Sequence, residues 1–263
     1  MSSLLLPRRF YSQPQGLVGV RPEYGEALFT LCGHHDVNAW DMSGATKPTP
    51  SLGTLGKYVS FGQTQIAGAA GRYLYRSDPA ANAYVGPLTL VFYGGILTPD
   101  AAISVANRGL VTKHQGTGSL TNARSWAMYI DYQTLGDNTK FYPRILVSSD
   151  GTSAGSKYSP AASTINNGTV NCFVGVFRPG RSLELYANGQ HYATETSGVP
   201  SANYAGGAPI VIGSQYSYGD SLVDSVYTLN GYVLLAAALN TDLPAKDAQD
   251  LSANPWKIFR VSE

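Results

Sequence analysis

The chain has 263 residues, with 18 Lys and Arg against 17 Asp and Glu, a formal net charge of +1, and only 13% of its residues are charged. That balance excludes a nucleic-acid binder working through bulk charge and a charged disordered tail, and the length suits one large domain or two small ones. Glycine supplies 29 of the 263 residues, where ~7% is usual, and tyrosine, at 18, outnumbers phenylalanine and tryptophan together (8 and 3), a composition of short strands and many turns.

In chain order, Met1–Arg9 places its charges after three leucines, not in the basic-then-apolar order of a secretory signal. No apolar run approaches the ~18 residues of a membrane-spanning helix. Residues 1–20 read as an extended arm, because Pro7 and Pro14 lack the N–H that a central strand needs. Within it Pro7, Arg8, Arg9, Phe10 and Tyr11 set two cations beside two aromatic rings, which suits anchoring on a neighbouring subunit. Residues 21–263 read as one domain, since no shift in composition divides them.

From about Ala27 strand follows strand. Pro87–Tyr93 alternates Leu88, Leu90 and Phe92 on one face with Thr89, Val91 and Tyr93 on the other. Trp126, Met128, Ile130 and Tyr132 share a face of the next clear run, and Val170–Phe177 is apolar on both faces, as a central strand is. Asn188-Gly189 between two alternating runs predicts a type I′ hairpin, because both positions tolerate positive φ. Strands are expected again over Pro209–Gly213 and Val226–Leu235, and one short helix over Asp242–Leu251 with Pro244 in its first turn. About a dozen short strands with so little helix mean an all-β sandwich or barrel, with Leu88, Leu90, Phe92, Trp126, Ile130, Val174 and Ile212 in its core.

Few residues carry recognisable chemistry. Gly151-Thr152-Ser153-Ala154-Gly155 has the spacing of a nucleophile elbow, but no helix pattern follows the serine, so a loop between strands is expected. His34, His35 and Asp36 are adjacent without a third His or Cys nearby, and His114 and His191 are isolated. Asp220 and Asp224 share a parity but lack the glutamates of a glycosidase strand, and Glu184 stands alone. Gly116-Thr117-Gly118 lacks the rest of a phosphate loop, and Asn167-Gly168-Thr169 reads as a turn before a strand. Cys32 and Cys172 cannot build a disulfide framework; they read as free thiols, with a single bridge as the alternative. Tyr204, Tyr216, Tyr218 and Tyr227 flank a Gly/Ser-rich segment, the chemistry of an adaptable contact or ligand surface, or else plain loops closing a sheet edge.

Read together, the motifs resemble those of laminin-G-like, concanavalin A-like jelly-roll domains. Trp40-Asp41-Met42-Ser43-Gly44, Ser125-Trp126-Ala127-Met128-Tyr129-Ile130, Ser182–Gly189, Ile210-Val211-Ile212-Gly213 and Leu229-Asn230-Gly231 match that family's motifs in order, across about residues 27–251. The opening Pro7–Gly16 and the closing Leu251-Ser252-Ala253-Asn254-Pro255-Trp256 resemble the ends of such proteins encoded by tailed bacteriophages and prophages. The resemblance implies a two-sheet antiparallel jelly roll with an N-terminal arm and one short C-terminal helix. It implies a non-enzymatic virion structural protein, a head decoration or tail protein made in the bacterial cytoplasm. The alternative is a carbohydrate-binding module that recognises the host surface. Other virion proteins and further copies of the chain, a trimer first, are then its expected partners, with a host-surface glycan under the alternative. No nucleic acid and no membrane insertion are expected. Calcium occurs at the loop rim of some relatives, but no acidic motif of the required spacing is present, so no cofactor is expected and no metal residue is assigned.

Overall fold

A computed structural model describes residues 17–32, 49–53, 56–62, 73–76, 83–98, 107–114, 123–132, 136, 139–214 and 227–261. Pro7–Tyr11, His34, His35, Asp36, Trp40–Gly44, Gly116–Gly118, Tyr216, Tyr218, Asp220 and Asp224 lie outside the described residues. The strands are β1 (Leu17–Val20), β2 (Ala27–Cys32), β3 (Thr49–Gly53), β4 (Gly56–Gly62), β5 (Leu74–Arg76), β6 (Leu88–Ile96), β7 (Arg108–Lys113), β8 (Trp126–Asp131) and β9 (Lys140–Ser148). They continue with β10 (Ser156–Tyr158), β11 (Ile165–Asn166), β12 (Thr169–Arg178), β13 (Ser182–Ala187), β14 (Gln190–Glu195), β15 (Ile210–Ile212), β16 (Gly231–Leu239) and β17 (Phe259–Val261), with helix α1 (Ala245–Ala253) before the last.

An eight-stranded sheet runs β14-β13-β12-β6-β16-β4-β3, with β2 beside β16, and a seven-stranded sheet runs β10-β9-β8-β7-β15-β5, with β11 beside β9. Every pairing is antiparallel. Between the sheets lie Leu88, Leu90, Phe92, Trp126, Met128, Ile130, Phe141, Ile145, Phe173, Phe177, Leu183, Leu185 and Ile212. Alternation along each strand delivers these side chains to one face, so the expected sandwich is the observed one.

Val174 departs from the expected inter-sheet core. With Val91, Tyr93, Cys172, Val176, Tyr186, Leu235, Ala237 and Leu239 it forms a second apolar cluster on the other face of the eight-stranded sheet. Leu243, Ala248 and Leu251 of the α1 region, with Trp256, Ile258 and Phe259, complete that cluster. Residues of opposite parity to Phe173 and Phe177 point outward, and the C-terminal segment is what covers them. The helix therefore builds part of the core, whereas its short sequence reads only as a cap. It begins at Ala245, with Pro244 as its N-cap residue.

Strand β16 also differs from expectation, starting at Gly231 and running on to Leu239. Asn230 is diverted before it, its side-chain amide donating to the Thr98 carbonyl. A bulge between Val233 and Leu235 sends both Leu234 and Leu235 to the outer cluster. In β6 the run extends through Gly94 and Gly95 because the β16 backbone approaches so closely that a Cβ on Gly94 would collide with the Tyr232 carbonyl. The Asn188-Gly189 turn is as expected, with φ of 52° and 84°. Its tip is tied to α1, since the Gly189 N–H donates to Ser252 Oγ at 2.9 Å and the Gln249 amide donates to the Gly189 carbonyl at 2.9 Å.

The last four residues of the expected arm, Leu17–Val20, pair with β17, and Arg21 Nε donates to the Phe259 carbonyl at 2.8 Å. Cys172 is a free, buried thiol beneath α1. Trp256 is 3% exposed and packs edge-on against Tyr93, with centroids 5.8 Å apart. Trp256→Ala is expected to cost roughly 3–5 kcal/mol by opening this cluster, read as a lower urea midpoint with an unchanged slope.

Candidate functional site

The outer face of the eight-stranded sheet is closed by α1 and its flanks, and the outer face of the seven-stranded sheet carries aromatic and charged side chains of β8 and β9. There the register sets Tyr129 opposite Arg144, Asp131 opposite Tyr142 and Ala127 opposite Leu146. These are the parities left over once Trp126, Met128, Ile130, Phe141 and Ile145 have turned inward. Ala127, Tyr129 and Leu146 form a small apolar cluster against which Tyr158 of β10 packs. The Tyr129 and Tyr158 rings meet edge to face, 6.4 Å between centroids and 86° between planes.

Arg144 organises the polar part of this face. Its Nη1 donates to Asp131 Oδ2 at 2.9 Å, and its Nε donates to the Ser159 carbonyl at 3.0 Å. The guanidinium lies over the Tyr158 ring, 5.4 Å from the centroid. The Asp131 side chain is 3% exposed and that of Arg144 19%. The charged hydrogen bond is therefore largely withdrawn from water, which strengthens it relative to a surface pair. Among the described residues Nη2 of Arg144 has no hydrogen-bond partner, and the half-buried Tyr142 and Tyr158 share its surroundings. Burial holds the Tyr129 phenol well above its ordinary pKa, so it stays protonated. What the arrangement leaves for a ligand is one guanidinium nitrogen, Nη2, beside the half-buried Tyr142 and Tyr158, which suits a hydroxyl of a flat ligand.

The sequence groups Trp126, Met128, Ile130 and Tyr132 on one face, and the same alternation is the signal that puts Tyr129 and Asp131 on the other. Of the tyrosines that the sequence singles out, Tyr204 is half-buried, its N–H donating to the Ser148 carbonyl at 2.8 Å and its carbonyl accepting from Ser125 Oγ at 2.6 Å. This places it at the far end of β9 from Asp131. Tyr227, half-buried, precedes Thr228, whose carbonyl accepts from Arg108 Nη1 at 3.3 Å.

Ser153 is exposed in the turn between β9 and β10, and strand β10, not a helix, follows it. Asp150 shapes that turn by accepting from the Thr152 N–H and Oγ1, each at 2.8 Å. Glu184 does not stand alone: it receives Arg178 Nε at 3.0 Å, Ser182 Oγ at 2.7 Å and the Tyr186 hydroxyl at 2.7 Å. Burial alone would raise its pKa, but these donors hold it below the ordinary carboxylate value. Exposed His191 contacts Thr194 Oγ1 through Nε2 at 2.7 Å. Among the described residues no group of three or more His, Cys, Asp or Glu could hold a metal, and no helix is long and apolar enough to cross a membrane.

With this geometry in place, comparison with known proteins supports the fold. No protein-family model matches the chain, and no curated protein matches it in sequence. The carbohydrate-binding module CBM40 of the Ruminococcus gnavus IT-sialidase, solved with α2,3-sialyllactose, is 15% identical over 73% of this chain and 99% of its own, with a TM-score of 0.51. Domain 4 of AbnA, a GH43 extracellular arabinanase from Geobacillus stearothermophilus solved with arabinotriose, is 10% identical over 81% of this chain and 87% of its own, with a TM-score of 0.54. The botulinum neurotoxin serotype G binding domain is 7% identical over 86% of this chain and 50% of its own, with a TM-score of 0.55. At such identities the likeness concerns the fold alone.

Lys113 is fully buried, and its ammonium donates to the Gly206 carbonyl. Burial pushes its pKa down to about 8, against ~10.4 in an unfolded chain. Between those values the unfolded chain holds the proton that the folded one has lost, so stability rises with pH there. Melting temperature is expected to climb from pH 8 to 9.5, before tyrosine ionisation intervenes, and Lys113→Met is expected to abolish that climb. Ser153→Ala is expected to leave melting temperature and ligand binding unchanged, as measured by calorimetry.

Proposed function

We propose that the chain is a non-enzymatic carbohydrate-binding module whose ligand lies on the outer face of the seven-stranded sheet. The observation that carries this reading is Arg144, held by Asp131 and the Ser159 carbonyl over the Tyr158 ring, its Nη2 without a partner among the described residues. Protein–sugar recognition needs both elements: an aromatic surface for the apolar side of a pyranose or furanose, and fixed polar groups for its hydroxyls. The fold shared with two carbohydrate-binding domains supports the same reading. Tyr204, Tyr216, Tyr218 and Tyr227 remain candidates from the sequence alone.

The resemblance of both chain ends to phage-encoded proteins carries a finer placement: a virion protein, anchored by Pro7–Tyr11 among other virion proteins, that presents this face to the host surface. The two readings are compatible, and the glycan is the part that can be tested directly. On a glycan array followed by calorimetry, the protein should bind a restricted set of oligosaccharides, unaffected by EDTA. Tyr158→Ala should weaken that binding by roughly tenfold or more, about 1.4 kcal/mol, with the melting temperature little changed, and Arg144→Ala should weaken it as much while lowering the melting temperature, because it takes the arginine away from buried Asp131. Binding that survives both substitutions would remove the face from consideration, and an array without a single binder would remove the carbohydrate reading.

A further inference from the structure

We infer that Asn188 is a deamidation site kept latent by helix α1, so that release of the C-terminal segment is recorded irreversibly in the β13–β14 hairpin tip. Asparagine before glycine is the pair most prone to this reaction, because no side chain on the second residue shields its backbone nitrogen. The Gly189 nitrogen gives up its proton and attacks Asn188 Cγ. The new N–Cγ bond closes a five-membered imide, the Cγ–Nδ2 bond breaks, and Nδ2 leaves with a proton as ammonia. Water then opens the imide at either carbonyl, leaving aspartate or isoaspartate.

Each group that must move is held in the folded chain. Asn188 Oδ1 accepts from the Cys172 N–H at 2.9 Å, and Nδ2 donates to Asn171 Oδ1 at 3.0 Å. The attacking nitrogen is occupied as well, since the Gly189 N–H donates to Ser252 Oγ at 2.9 Å. Ser252 is buried, and its hydroxyl is aimed by its own donation to the Gln249 carbonyl at 2.9 Å. The Gln249 amide completes the clamp on the Gly189 carbonyl. Asn-Gly recurs at Asn167-Gly168 and Asn230-Gly231, but the sheets themselves hold those pairs. The Gly168 N–H donates to the Ile96 carbonyl at 2.7 Å, and Gly231 lies in β16 between β4 and β6.

Conversion leaves the tip unable to reseat. A carboxylate oxygen replaces the Nδ2 donor opposite Asn171 Oδ1, whose own Nδ2 is committed to Thr169. The new charge also lies against the last turn of α1, where helix carbonyls already concentrate negative charge. Isoaspartate further adds a carbon to the main chain of a turn whose length sets the register of β13 and β14. The tip then loses its fit to Ser252 and Gln249, and the cover over Cys172 and Val174 loses a tie.

The test follows all three Asn-Gly pairs of the full chain by peptide-mapping mass spectrometry in mildly alkaline buffer, native against urea-unfolded. Asn188 should convert at least roughly tenfold more slowly in the native chain, because the reaction waits on local opening. Ser252→Ala should speed conversion at Asn188 several-fold, the effect of one lost hydrogen bond, while Asn167 and Asn230 keep their native rates. Should Ser252→Ala fail to fold, Gln249→Ala, at an exposed position, makes the same measurement. The converted protein, separated by ion exchange, should show faster amide hydrogen exchange over residues 245–258. An Asn188 that converts as fast in the native chain as in urea, or in neither, overturns the latent site. Equal acceleration at all three pairs, or none from either substitution, overturns the control by α1. Unchanged exchange over residues 245–258 after conversion overturns the irreversible record.

Discussion

The eight-stranded sheet is apolar on both faces, and the remaining architecture answers that constraint. All nine residues of β6 are buried, and β12 and β16 on either side of it alternate between two apolar clusters. Each large apolar side chain gains roughly 1.5–3 kcal/mol on leaving water, so neither face can be left wet. The seven-stranded sheet covers one. The C-terminal segment covers the other, with Leu251 and Trp256 supplied by the helix and the turn after it. On the second sheet's outer face Ala127, Tyr129, Asp131 and Leu146 are buried as well, and it is Arg144, Tyr142 and Tyr158 that stay partly exposed.

The cover is located by polar groups as well as by packing. Arg178 at the end of β12 donates to Glu184, to the Asp242 carbonyl and side chain, and to the Leu243 carbonyl. Thr89 Oγ1 donates to the Thr241 carbonyl at 2.7 Å. These bonds fix residues 241–243, and hence the entry of the helix, to the middle and edge of the sheet beneath it. Apolar packing is non-directional; the guanidinium fork supplies the direction.

Much of the fold was legible in the sequence because alternation is a local property. The parities of Leu88, Leu90 and Phe92, the Asn188-Gly189 turn and the inward row from Trp126 to Ile130 all follow from a handful of neighbouring residues. Val174 was harder to place, since deciding which of two apolar faces meets the other sheet requires knowing what covers the second. The candidate face was missed for a related reason. Asp131 and Arg144 are charged residues within strands, and their meaning depends on the β8–β9 register, a pairing that no single segment reveals. Glu184 looked isolated because its partner Arg178 lies on the paired strand β12, and it is Arg178 that in turn reaches Asp242 from a distant part of the chain.

The pairing of β1 with β17 has a mechanical consequence. Leu17 faces Val261, and Val20 faces Phe259, so the outermost residues of the two strands lie at the same end of their ladder. A force drawing those two residues apart loads the hydrogen bonds one after another, as in a zipper, and not all together in shear. The clasp should open at low tension, lengthening the tether on each side by a few residues while the sandwich behind it stays shut. A module joined to its surroundings through both of these strands would then have a built-in slack, released under load and recovered when the load is gone.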